Sequence, residues 1–254
     1  MDRQAIIAAE SRRFAEVLSG ADPNRRCPTC PDWTASDLLW HLTEVHFFWA
    51  TILARRMQHE SELQAVERDK PSRPEAVADM LALREQATAV LLDQLAKHED
   101  NEACWSWWAP DQTVGFTRRM QTYEATMHRL DAELTADVPV SLIATDVAEG
   151  AVDHAVDVMW GWMPNEATYR TDSIVNFVAT DTGQSWSVEV GTWTANTGDG
   201  PRAVRATAGE PTATVTGSVV DLALWVWTRG GSVQTAGDPS SLAALNAVVS
   251  QGMP

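Results

Sequence analysis

The spacing of apolar residues changes once along this chain, and that change limits the folds open to it. Up to about residue 162 the hydrophobic positions recur at helical spacing. Beyond Pro164 the texture becomes β-rich. Four runs there, SIVNFVATDTG, QSWSVEVGTWTA, PRAVRATAGE and PTATVTGSV, are separated by turn residues. Helical stretches around 218–229 and 238–250 follow. The expectation is an α+β protein, with an N-terminal antiparallel helical bundle over residues 1–163 and a small α+β C-terminal domain over 164–254.

Within the first part, residues 4–18 have helical periodicity. Thr34 opens a T-x-x-D variant of the capping box that ends at Asp37. From there Leu38, Leu42, Val45, Trp49 and Ile52 form a single stripe, and His41 falls at its edge, turned toward the core. Residues 73–98 form a third amphipathic helix with Pro74 near its start. A tryptophan-rich connection, CWSWWAPD, leads to TVGFTRRMQTYEATMHRLDAEL, and a linker over 135–145 leads to a helix over 146–162.

Charge and composition exclude several classes of partner. The formal charge of -16 repels nucleic acid and anionic membranes alike. No apolar run approaches the ~18 residues of a membrane span. The N-terminal segment MDRQAIIAAESRRFAEVL lacks the apolar stretch of a secretory signal, which points to the cytoplasm. Twelve tryptophans against two tyrosines suggest that some indoles line a cavity, although packing accounts for most of them. Nothing in the pattern separates a monomer from a homodimer.

Three cysteines do not make a structural zinc site, since Cys27 and Cys30 would need a second pair and only Cys104 remains. A thioredoxin-like dithiol follows a strand, whereas the segment before Cys27 is helical. The C-x-x-C therefore reads as an incidental loop bracketed by Pro28 and Pro31. More chemistry lies in Glu124, His128 and Asp131, which share one helix face at i, i+4 and i+7. By spacing alone, Glu124 and His128 are either a surface ion pair or two ligands of one metal, with a histidine from another helix as the third. Likewise His41 alone reads as a satisfied core histidine.

The stretches CPDWTASDLLWHL (30–42), FTRRMQTYEATMHRLDAE (116–133) and ATVTGSVVDLALWVWTRGG (213–231) together resemble the mycothiol-dependent maleylpyruvate isomerase family, within the DinB-like metalloenzymes. The resemblance spans nearly the whole chain. It implies a divalent metal, usually zinc, held by His41, Glu124 and His128. It also implies mycothiol as a thiol cosubstrate and an electrophilic small molecule as substrate. Many relatives carry a histidine where this chain has Tyr123, and neither Cys27 nor His154 belongs to the family pattern.

A free thiol has a pKa near ~8.5, and coordination to a divalent metal deprotonates it. Attack by that thiol on an electrophilic carbon gives cis–trans isomerisation if the thiol is expelled after bond rotation, or S-transfer if the adduct is released. The resemblance thus implies an isomerase or transferase. Transfer is preferred, because isomerising a dianionic substrate asks for more positive charge. The alternatives are a non-catalytic metal-binding or regulatory protein and a metal-assisted hydrolase. Asp131 is a candidate to orient a ligating imidazole, or else an exposed helix charge. Arg229 is a candidate to hold a substrate carboxylate, or else a cation at a helix C-terminus. Trp40 and Tyr123 are candidate cofactor-binding residues, while Arg118, Arg119 and Arg129 are expected on the surface. His46, His59 and His98 carry no expected role.

Overall fold

The computed structural model describes residues 1–253. It contains eight α-helices and a five-stranded sheet among these residues, in two compact units. The first unit, Met1–Leu142, holds α1 (Arg3–Ser19), α2 (Ala35–Arg55), α3 (Leu63–Asp69), α4 (Val77–Ala96) and α5 (Val114–Ala136). The α1 helix packs on α4 and α5, and α2 packs on the same two, so the four long helices form a bundle.

Local signals explain where these helices begin. The Thr34 side chain accepts from the Asp37 amide at 3.2 Å, and Asp37 accepts from the Thr34 amide at 2.8 Å, a complete capping box for α2. Thr113 caps α5 through its side chain alone, accepting from the Phe116 amide. The stripe of α2 is buried as its period requires except at Val45, which is half-buried. Leu38, Leu42, Trp49 and Ile52 join Phe14, Leu39 and Met80 in the unit's interior, each aliphatic contributing roughly 1.5–3 kcal/mol by leaving water.

The α5 helix departs from expectation. It is buried on nearly every side, and many of its interior residues are polar: Thr117, Gln121, Thr122, Thr126, Arg129, Asp131 and Glu133. Arg129, expected on the surface, is 0% exposed. Its Nε donates to Glu10 at 2.6 Å, and one terminal nitrogen donates to Glu133 at 2.8 Å and the Ser141 carbonyl at 3.0 Å. Glu133 also accepts from Arg13 at 2.8 Å and from the Ser141 hydroxyl and amide. The correction has a plain cause: an arginine is buried when carboxylates await it, and one of them, Glu10, comes from a helix distant in sequence. Arg118 is largely covered and Arg119 is partly exposed, each paired with an aspartate, Asp100 and Asp111 respectively.

The second unit begins at Ile143. It comprises α6 (Thr145–His154) with a π-helical turn over Ala155–Met159, then β1 (Thr168–Ala179), β2 (Ser185–Ala195), β3 (Gly198–Arg205) and β4 (Ala213–Gly217). These are followed by α7 (Val219–Val226), β5 (Gln234–Gly237) and α8 (Pro239–Val249). The strand order is β3-β2-β1-β4-β5, with β1 and β4 parallel and every other neighbour antiparallel. At a bulge in β1 between Thr171 and Ser173 the β2 backbone comes very close. A Cβ at Gly191 would sit 2.0 Å from the Arg170 carbonyl oxygen, so only glycine fits.

The expected divide fell at 163/164, whereas the contacts divide the chain at 142/143. Helix α6 packs on α7, burying Val147, Ala148, Ala151 and Val152. Its helical period resembled the bundle's, although the helix belongs to the sheet's own cover. Strand β5 escaped expectation because its four residues are all exposed and carry no alternation. Among the described residues, no helix is long and apolar enough to cross a membrane.

Candidate functional site

Two helices of the first unit bring the expected ligands together. His41 lies in the second turn of α2, while Glu124 and His128 lie one turn apart on α5. One ligand atom from each of the three lies within 4.8 Å of the other two, a grouping that a single ion can bridge. The His41 and His128 rings meet edge to face, with centroids 4.9 Å apart. Glu124 and His41 are half-buried, whereas His128 is buried.

His128 is oriented on its other side. Its Nδ1 lies 2.9 Å from an Asp131 carboxylate oxygen, which leaves Nε2 to face Glu124 at 3.2 Å. Burial disfavours the charged imidazole, but Asp131 and Glu124 outweigh it and raise the His128 pKa to about 9. Asp131 is 0% exposed, so the reading of it as an exposed helix charge is set aside. Its second oxygen accepts from the Thr29 hydroxyl at 2.5 Å.

A cleft of about 390 Å³ opens beside His41, lined by Asp32, Trp33, Asp37, Trp40, Glu44 and Arg73. The Trp33 ring lies against His41, with centroids 4.6 Å apart. Trp33 is thus a wall of the site, although it precedes α2 and takes no part in its stripe. Trp40 also lines the cleft, whereas Trp49 is core. Arg73 donates to Asp37 at 2.6 Å and to Ser36 at 2.8 Å, so its charge is already shared.

Other candidates are placed elsewhere. Tyr123 is 1% exposed; its hydroxyl accepts from Arg3 of α1 at 3.1 Å, and it does not line the cleft. One residue before Glu124, it is turned ~100° around the helix. Arg229 belongs to the second unit, buried at the end of α7, where it donates to the carbonyls of Trp227 and Met253. One of these acceptors, Trp227, is the C-cap of α7.

Behind the site lies a feature that periodicity hid. His46 is 0% exposed and its Nδ1 lies 2.5 Å from the buried Arg84 guanidinium, which also donates to Thr88 and the Leu42 carbonyl. Burial, then the charge of Arg84, hold His46 well below its ordinary range, and burial lowers Arg84 to about 9. A histidine at a stripe's margin looked unremarkable, and its arginine partner sits on another helix.

Fold and side-chain cluster together define a class: a helical bundle whose interior gathers two imidazoles and a carboxylate of metal-ligand type beside an open cleft, followed by a sheet-containing unit. The family model for the mycothiol maleylpyruvate isomerase N-terminal domain matches residues 5–133, and the chain belongs to that family, which is a family of enzymes. In fold, the chain is similar to a crystal structure of the mycothiol-dependent maleylpyruvate isomerase, with a TM-score of 0.61 and 14% identity over 94% of each chain. It is likewise similar to a histidine-to-alanine mutant of that enzyme, with a TM-score of 0.60 and 13% identity over the same shares. No curated protein matches the sequence significantly.

Proposed function

We propose that this chain is a thiol-dependent enzyme of the mycothiol type, acting on an electrophilic small molecule by S-transfer or cis–trans isomerisation. The observation that carries the reading is the convergence of His41, Glu124 and His128, with His41 lining a cleft, in a chain of this family.

The donor set suits a divalent ion. Two imidazoles and a carboxylate are a zinc-type combination that leaves a position for another ligand, and His128 presents a buried Nε2 toward Glu124. His41, Glu124 and His128 would hold the ion. Bound there, it would lower the pKa of an incoming thiol and so raise the thiolate fraction at neutral pH. The chain's own residues do the remaining work. Asp131 holds Nδ1 of His128 and so fixes which nitrogen faces the site. Trp33 and Trp40 supply apolar wall to the cleft, which excludes water from one side of a bound thiol.

The cleft also bears on the choice of reaction. Asp32, Asp37 and Glu44 line it against the single guanidinium of Arg73, a balance that repels a dianionic substrate. S-transfer to a neutral electrophile is therefore preferred over isomerisation of a dicarboxylate.

The test is metal content of the purified protein and of His41→Ala, followed by mycothiol consumption with a chromogenic haloarene. Wild type should carry a divalent ion and consume thiol, and His41→Ala should lose both. A wild-type protein that takes up no divalent metal, or that turns over equally well without thiol, overturns the proposal.

A further inference from the structure

Cys27 and Cys30 occupy a short loop ahead of α2 whose stem is pinned. Arg26 bridges to Thr34, the Cys27 amide donates to the Trp33 carbonyl at 3.0 Å, and the Trp33 amide donates to the Cys30 carbonyl at 2.8 Å. Both cysteines are thiols. Their sulfur atoms and an Asp131 carboxylate oxygen lie within 4.8 Å of one another. The two differ in access: Cys27 is 0% exposed, packed with Phe14 and Leu38, while Cys30 is partly open to solvent.

This asymmetry suits two successive roles, one sulfur that meets a reagent and one that resolves the product. The buried sulfur is also poised for the second. The hydrogen bond from Cys30 draws the Cys27 thiol down to about 5 against the opposing effect of burial, with Thr135 and Thr29 adding to it. Cys104 shares none of this, since burial pushes its thiol up to about 11. A metal ion is a poorer occupant of the cluster. Asp131 is already engaged by Thr29 through one oxygen and by His128 through the other, which leaves two thiols where structural zinc takes four ligands.

We infer that Cys27 and Cys30 form a reversible intramolecular disulfide by exchange with a low-molecular-weight disulfide. The Cys30 thiolate attacks one sulfur of the small disulfide, that S–S bond breaks, and one small thiolate leaves with the electron pair. The Cys27 thiolate then attacks the Cys30 sulfur, forming the internal bond and expelling the second small thiolate. Two electrons pass from the protein to the small disulfide, and the two protons lost by the cysteines end on the two released thiols. No step uses the metal, so the inference stands apart from the proposed function.

The experiment equilibrates the full chain in glutathione buffers of increasing oxidised fraction, quenches with an alkylating reagent under denaturing conditions and reads the products by mass. Alkylatable thiols should fall from three to one, with Cys27 and Cys30 linked in the peptide map and dithiothreitol restoring all three. Cys27→Ser should accumulate a mixed disulfide with glutathione on Cys30, while Cys30→Ser should form neither product. A wild-type protein that stays reduced across the series overturns the inference, whatever the variants do. So does a linkage through Cys104, or a Cys27→Ser protein that traps no glutathione.

Discussion

The two opposite faces of α5 both bury charge, and they settle it differently. On one face Arg129 and Glu133 meet Glu10 and Arg13 of α1, two cations against two carboxylates, with Ser141 accepting from Arg129 and donating to Glu133. On the other, Glu124 and Asp131 flank the single ring of His128, with the His41 ring alongside. The first set balances within the protein. The second holds more negative charge than its own imidazoles offset, and its donor atoms converge on one point. A closed charge set is a fastener, and an open one is a receptor.

If that contrast is sound, the largest effect belongs to the closed face. Arg129→Ala should destabilise the protein by about 3 kcal/mol, because it leaves Glu10 and the buried Glu133 with Arg13 as the one remaining cation of the set. Urea unfolding measures this, and a loss comparable to an ordinary surface change would erase the distinction. The same face should also report in acid. Burial works against the Glu133 carboxylate, but Ser141, Arg13 and Arg129 more than reverse it and hold it at about 2. A depressed carboxylate stabilises the fold above its unfolded pKa of 4.5, and that stability is lost as pH falls from 4.5 toward 2. The loss should reach about 3 kcal/mol in total, and Glu133→Gln should flatten that part of the stability–pH curve.

Smaller effects sharpen the open face. Asp131→Asn keeps the shape but weakens the hold on His128. Zinc affinity by calorimetric titration should drop about 10–100-fold, with the Arg129 network undisturbed. Thr29→Val removes one donor to Asp131 and should cost about 1 kcal/mol in stability, with a smaller change in zinc affinity than Asp131→Asn. A larger one would make the loop, rather than α5, the element that orients the site.

Much of this was legible in sequence because it is local. The T-x-x-D cap, the α2 stripe that carries His41, and the one-turn spacing of Glu124 and His128 all depend on residues within a few positions of one another. The change of apolar spacing near Pro164 likewise announced the sheet, whose first strand begins at Thr168. What stayed hidden depends on partners far along the chain. Arg129 reads as surface until Glu10 is placed beside it, and His46 reads as idle until Arg84 is. Helix α6 could be assigned to a unit only by knowing that α7 covers it. Trp33 gave no helical signal because it precedes α2, yet the cap of that helix is what carries it to His41.

The pairing of α1 with α5 has a consequence for time. Glu10 and Arg129 lie 119 residues apart. A chain made at ~5–20 residues per second therefore presents α1 on the order of ten seconds before the guanidinium that completes it exists. During that interval Ile7 and Phe14, both fully buried in the finished protein, have no lasting cover from α5. Helix α1 thus waits for α5 before it is secured, and chaperones have a defined window in which to meet it.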